Sequence, residues 1–248
     1  MSRIVKEPAV ILKTFDFSES SLIAVALTGG QGKIRVLAKG AKRAKSRFGG
    51  TLRTGNILEL IYYDRSGGGL KLLKEVSPVS SFDTGGKDLD RICIFQAGLE
   101  VMDRATPEEG ADRGLFSMLE GFVSELAACS DPWALLFGLE TGILSLAGVL
   151  PVLDRCPRCK KDLAVEGARI NPSSGEVSCG LCGGGSKLLL GGDAVQVMRS
   201  MARMKPGELS GTVLDGGQRK SIGRLLHRLL AYHVEGYRLP NALRIIKG

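Results

Sequence analysis

Within the first 80 residues, apolar and polar positions alternate in short runs over 9–14, 20–27, 33–38, 56–64 and 70–76, each bounded by turn formers. Successive side chains of a strand point to opposite faces, so a period of two marks half-buried strands. In Lys33-Ile34-Arg35-Val36-Leu37-Ala38, Ile34 and Val36 alternate with two cations, which predicts one packed face and one charged face. Gly29-Gly30-Gln31-Gly32 and Gly67-Gly68-Gly69 read as hairpin turns. Tyr62 and Tyr63 are neighbours on the fourth strand, so one of them should face solvent. From Lys87 the period becomes helical, with candidates over 88–105, 111–129 and 132–147 and, after a cysteine-rich stretch, over 194–205 and 218–235. Ser130-Asp131-Pro132-Trp133 is a helix start, a capping residue followed by a proline in the first turn.

Five strands with a longer segment after the third match the OB-fold, a small barrel whose surface commonly binds oligonucleotides. The predicted architecture is a multidomain α+β chain. Residues 1–80 form an OB-fold nucleic-acid-binding domain, 81–154 and 191–248 are two parts of a helical domain, and 155–190 are a cysteine-rich insertion. The 248 residues are 44% hydrophobic and 24% charged, enough for a real core and unlike a disordered chain. Aromatics are 5% and glycines number 34, so the packing is aliphatic and the turns tight. No apolar run approaches the roughly 20 residues that span a bilayer, and Met1 to Pro8 do not read as a signal peptide. The expectation is a cytoplasmic protein with no membrane partner.

The formal net charge is +8, but its distribution says more. Residues 1–80 hold 14 Lys/Arg against 6 Asp/Glu, 81–154 hold 4 against 13, and 155–248 hold 16 against 7. Two basic segments flanking an acidic one suit a protein that grips a polyanion at both ends of its chain.

Cys156-Pro157-Arg158-Cys159 and Cys179-Gly180-Leu181-Cys182 form two C-x2-C pairs separated by nineteen residues. Each pair places two thiolates on one tight turn, and two such turns build the tetrahedral S4 cage that Zn²⁺ prefers. Four protein ligands leave no position for an activated water, so the reading is a structural zinc. Arg155, Arg158, Lys160 and Lys161 crowd the first pair and can offset thiolate charge or meet phosphate. Cys93 and Cys129 lie in helical segments and read as small buried apolar side chains.

The segment 39–50 carries Lys39, Lys42, Arg43, Lys45 and Arg47 and no acid. Such a run repels itself unless it is solvated or paired with a polyanion, and on an OB-fold it reads as a nucleic-acid contact. Lys13 and Arg35, on the barrel face, are secondary candidates. Phe48 is either a base-stacking residue or a loop anchor in the core.

Nothing in the chain reads as an enzyme. His227 and His233 lie six apart on the last helix with no partner pattern and read as exposed helix residues. Neither Gly32-Lys33 nor Ser186-Lys187 fits a phosphate-binding loop, and G-x-S-x-G and H-E-x-x-H are absent. A nuclease would need carboxylates from the acidic segment, where Asp88, Asp90, Glu108, Glu109 and Asp112 read as helix-start and surface charges. The residues alone also leave open an OB-fold plus zinc-ribbon factor that binds structured RNA.

The order of parts resembles the RecO family of bacterial recombination and DNA repair mediators. The resemblance rests on Val10 to Thr14 followed by Ser18-Glu19-Ser20, on Gly32-Lys33 leading to Ala38-Lys39-Gly40-Ala41-Lys42-Arg43, and on Ser46-Arg47-Phe48-Gly49-Gly50. Farther on it rests on Phe137-Gly138-Leu139-Glu140 leading into Leu146 to Pro151, then Leu153 and the first cysteine pair. It implies binding of single- and double-stranded DNA, annealing of complementary strands and a nucleoid-associated location. It also implies cooperation with RecR, in some pathways with RecF, so that RecA can replace single-stranded DNA-binding protein (SSB), whose acidic C-terminal tail such proteins engage.

Overall fold

The computed structural model describes residues 2–48, 50–65, 69–83, 88–108, 110, 112–183, 188–204 and 206–246. Parts of several sequence-based expectations lie outside these residues, namely Gly49, Gly67, Gly68, Lys87, Glu109, Ala111, Ser186, Lys187 and Lys205. Chain contacts divide the protein into two units, Met1–Ala127 and Ala128–Gly248.

The first unit is built on a closed barrel of five strands: β1 (Ser2–Asp16), β2 (Leu22–Thr28), β3 (Gly32–Ala38), β4 (Ile57–Arg65) and β5 (Leu70–Ser80). Around the barrel the order is β1-β2-β3-β5-β4. β1 pairs antiparallel with β4 through its first half and with β2 through its second, and a register shift between Ile11 and Lys13 lets this long strand bend from one partner to the other. Parallel pairing of Arg35–Leu37 with Leu70–Leu72 closes the barrel. Alternation in β3 is as the sequence predicts, with Ile34 and Val36 buried and Arg35 exposed. Ile11, Val36, Leu58, Leu60 and Leu73 fill the core with branched aliphatic volume, joined by Ala26 and the ring of Tyr62. Tyr62 is buried and Tyr63 is partly exposed. The Tyr62 hydroxyl donates to the buried Glu7 carboxylate, which also accepts from the Gly30 backbone N–H at 2.9 Å. Burial and this carboxylate together raise the Tyr62 pKa.

β1 begins seven residues earlier than the alternation suggests, because its first residues find backbone partners on β4 despite Lys6-Glu7-Pro8. Two helices complete the unit, α1 (Leu89–Ala105) and α2 (Arg113–Glu125), capped by Asp88 and Asp112. α1 approaches the barrel at Gly55, whose φ is +82°; a Cβ there would lie 1.8 Å from the Phe95 ring. Phe82 stacks on Phe95 with ring centres 4.0 Å apart.

The second unit packs α3 (Pro132–Leu146), α5 (Gly192–Arg203) and α6 (Gly216–His233), with a small module inserted between α3 and α5. The module holds the one-turn helix α4 (Leu163–Glu166) and a three-stranded sheet of β6 (Ala168–Ile170), β7 (Val177–Ser178) and β8 (Leu188–Leu190), in the order β7-β6-β8. Asp131 caps α3 at Trp133 and, itself buried, also accepts from the Leu214 backbone N–H at 2.9 Å and from Arg219 at 3.1 Å. Arg199 of α5 donates to the Leu153 carbonyl at 2.7 Å and to Asp162 at 2.7 Å, which ties the module to the helices. The Arg199 guanidinium holds the Asp162 carboxyl below the usual carboxylate range.

Candidate nucleic-acid interface and metal centre

The segment after β3 leaves the barrel and folds back on it. Phe48 is 2% exposed and belongs to the barrel core, so of its two readings the structure selects the anchor. The intervening residues form successive turns, with Arg43 N–H donating to the Gly40 carbonyl at 3.2 Å and Ser46 N–H to the Arg43 carbonyl at 2.9 Å. Gly40 sits at φ +72°, the left-handed conformation that such a turn needs. Lys42 N–H donates to the Ser20 carbonyl at 3.0 Å and Gly40 N–H to the Ser21 hydroxyl at 3.3 Å, fastening the loop to the β1–β2 connection.

All five loop cations are exposed. Lys42 pairs with Asp16 at 2.9 Å, and the Arg47 guanidinium lies 5.0 Å from the centre of the Phe48 ring. Among the described residues no carboxylate pairs with Lys39, Arg43 or Lys45. The cations of the strand face are disposed differently. Lys13 pairs with Asp103. Lys33, 8% exposed, donates to the Asp103 carbonyl at 2.7 Å and lies 3.5 Å from Glu108. Arg35 meets Glu108 at 3.1 Å. The C-terminal end of α1 therefore neutralises this face from within the same unit. Asp88 and Asp112 spend their carboxylates on helix caps and Glu108 on cations.

A cationic row that the sequence reading passed over lies on α6. Lys220, Arg224 and Arg228 are exposed at four-residue intervals, which places them on one helix face. Tyr232 continues the row and is 61% exposed. The i, i+4, i+8 spacing was the available signal. His233 is exposed as expected, whereas His227 is half-buried with its Nδ1 3.4 Å from the Tyr237 hydroxyl.

The four cysteines of the two C-x2-C pairs come together. The sulfurs of Cys156, Cys159, Cys179 and Cys182 all lie within 4.8 Å of one another, and Cys159 and Cys179 are 3.6 Å apart. A tetrahedral S4 site with metal–sulfur bonds near 2.3 Å has edges of about 3.8 Å, so this cluster could hold a metal ion. Each pair sits on a backbone knuckle, with Lys160 N–H donating to the Cys156 carbonyl at 2.9 Å and Gly183 N–H to the Cys179 carbonyl at 3.0 Å. Lys160 pays for its knuckle with φ +62°. Backbone N–H groups of Cys159 and Cys179 pull the Cys156 thiol down to about 6, the latter reaching its sulfur at 3.4 Å. Those of Cys182 and Leu181 lower Cys179, while the sulfurs of Cys159 and Cys179 push Cys182 up to about 12. Of the nearby cations, Arg158 reaches the Cys182 carbonyl at 3.1 Å and Glu176 at 3.5 Å, Lys161 pairs with Glu166 at 3.1 Å, and Arg155 donates to the Lys160 carbonyl at 3.3 Å. Cys93 and Cys129 are buried, as expected of small apolar side chains.

An OB-fold barrel with an exposed basic loop, joined to a helical unit that carries a four-cysteine insertion, defines a nucleic-acid-binding class of architecture. Comparison with known families narrows it. Residues 1–82 match the family described as recombination protein O N terminal and residues 86–242 the one described as recombination protein O C terminal. The chain belongs to the RecO family. It is 32% identical over 181 residues to the DNA repair protein RecO of Anaeromyxobacter dehalogenans, covering 73% of this chain and 71% of that relative. It is 28% identical over 251 residues to the DNA repair protein RecO of Desulfatibacillum aliphaticivorans, covering 96% and 95%. Membership in this family supports a role in DNA repair and recombination. Among the described residues no helix is long and apolar enough to cross a membrane.

Proposed function

We propose that this protein binds single- and double-stranded DNA, anneals complementary strands and, together with RecR, helps load RecA onto SSB-coated single strands through contact with the SSB tail. The observation that carries the reading is the basic loop, whose cations the fold holds in place and leaves largely unneutralised. Lys39, Lys42, Arg43, Lys45 and Arg47 are the first phosphate contacts. Lys13 and Arg35 join them only if Asp103 and Glu108 let go. The α6 row supplies a second cationic surface, on the other unit.

The mechanism is physical, without bond chemistry. Two strands repel each other, and a protein with a cationic surface on each unit neutralises phosphates on both and raises their local concentration. Base pairing then supplies the specificity. Cys156, Cys159, Cys179 and Cys182 hold a structural Zn²⁺, which supplies only cross-linking of the two knuckles. The domain division follows the strand, helix and cysteine segments, 1–80, 81–154, 155–190 and 191–248, and the protein works in the cytoplasm on the nucleoid.

The test is annealing of complementary SSB-coated single strands, with and without the protein, at two salt concentrations. Acceleration that fades at high salt is expected, because each phosphate contact releases counterions. No acceleration, with selective binding to structured RNA, would overturn the reading in favour of an RNA-binding factor.

A further inference from the structure

Two aromatic rings around the end of β1 remain exposed. Phe15 and Phe17, at the end of β1 and in the connection to β2, are 50% and 55% exposed in a chain poor in aromatic residues. The Lys13 ammonium lies 5.6 Å from the centre of the Phe15 ring. Phe17 borders a cavity of about 280 Å³ whose other walls include Ser21, Leu37, Lys39, Gly40 and Arg43. That volume lies just below the usual range of about 300–1,000 Å³ for ligand sites and suits one flat ring system. The lining brings together an exposed ring, the apolar Leu37 and two exposed cations, the combination that holds a base and its flanking phosphates. Its walls are held together by the Lys42–Ser20 and Gly40–Ser21 hydrogen bonds and the Lys42–Asp16 ion pair, so little ordering remains for a ligand to impose.

We propose that Phe17 is the stacking residue of the basic-loop site, receiving one unstacked base of a DNA single strand while Lys39 and Arg43 hold the adjoining phosphates. The proposal rests on the DNA-binding reading and sharpens it. A base inside a duplex is already stacked on both faces, so Phe17 separates single strands from duplexes, which the cations alone do not do.

The experiment measures binding of labelled oligothymidine and of a duplex of equal length by the parent chain, Phe17→Ala and Phe17→Trp. Phe17→Ala is expected to weaken oligothymidine binding about tenfold and to leave duplex binding and the salt slope within about twofold of the parent. Phe17→Trp should keep single-strand affinity and show emission quenched by oligothymidine, read against the sole native tryptophan, Trp133. Equal losses on both ligands, or no loss on either, would overturn the stacking role while leaving the DNA-binding reading intact. A parent chain that binds neither ligand would overturn both.

Discussion

The barrel carries two groups of cations with opposite fates. Lys13, Lys33 and Arg35 project from the strands and are met by Asp103 in the last turn of α1 and Glu108 just beyond it. The cations between Lys39 and Arg47 project from the loop after β3, and among the described residues only Lys42 has a carboxylate, the exposed Asp16. Lys33 and Arg35 look like the loop cations in the chain, since neither 33–38 nor 39–50 holds an acid that would distinguish them. The difference teaches that the acidic middle segment is, in part, the barrel's own counter-charge, which leaves the loop as the barrel's main unspent positive field. The four cysteines are a third case, thiols from two distant turns that the fold gathers into a cluster able to hold a metal ion.

The largest effect is expected at that third case. On the proposed structural-zinc reading, replacing Cys156 and Cys179 by Ser should abolish zinc binding and cost the second unit several kcal/mol of stability, because metal-binding energy is then folding energy. Metal analysis alongside thermal melting checks this, and loss of zinc with full stability would contradict it. Next comes Asp103→Ala, which strips Lys33 of one carboxylate in a nearly buried position and should destabilise the barrel by about 2 kcal/mol in urea unfolding. By releasing Lys13, the same change should steepen the salt dependence of DNA binding, which would begin to merge the two groups.

The triple variant Lys42→Ala, Arg43→Ala, Arg47→Ala should reduce the salt slope by about three units while moving stability by no more than about 0.5 kcal/mol. Arg35→Ala should leave that slope nearly unchanged. Equal slopes for the two variants would abolish the contrast. The smallest effect concerns pH. The Lys71 ammonium, hydrogen-bonded to Asp64, lowers the Asp64 pKa, so the carboxylate stabilises the barrel above about pH 4 and that contribution fades as pH falls. Asp64→Asn should reduce stability at pH 7 by less than about 1 kcal/mol and flatten the acid limb below about pH 4, as read by urea unfolding at several pH values.

Much of the fold was legible because its signals are local. Alternation in β3, the Asp131-Pro132 helix start and the paired C-x2-C motifs each state their structure within a few residues. Strand ends were less so, since β1 extends back to Ser2 by pairing with β4 some sixty residues away. The candidate site divided in the same way. The loop cations were visible as a run, and the α6 row was visible as a spacing but overlooked.

The two phenylalanines mark the boundary most clearly. Phe48 sits among the cations and offered itself for stacking, yet its ring is in the core, whereas Phe17, in an unremarked turn, has its ring in solvent beside those cations. Alternation, cap residues and cysteine spacing were determined by the sequence alone, because each depends on backbone geometry repeated over a few residues. Which cations are neutralised, which aromatic is exposed and where Asp103 lands were decided only by the tertiary structure. Burial and Coulomb energy depend on distances through space, and in this barrel the decisive partners are 70 to 90 residues apart in the chain.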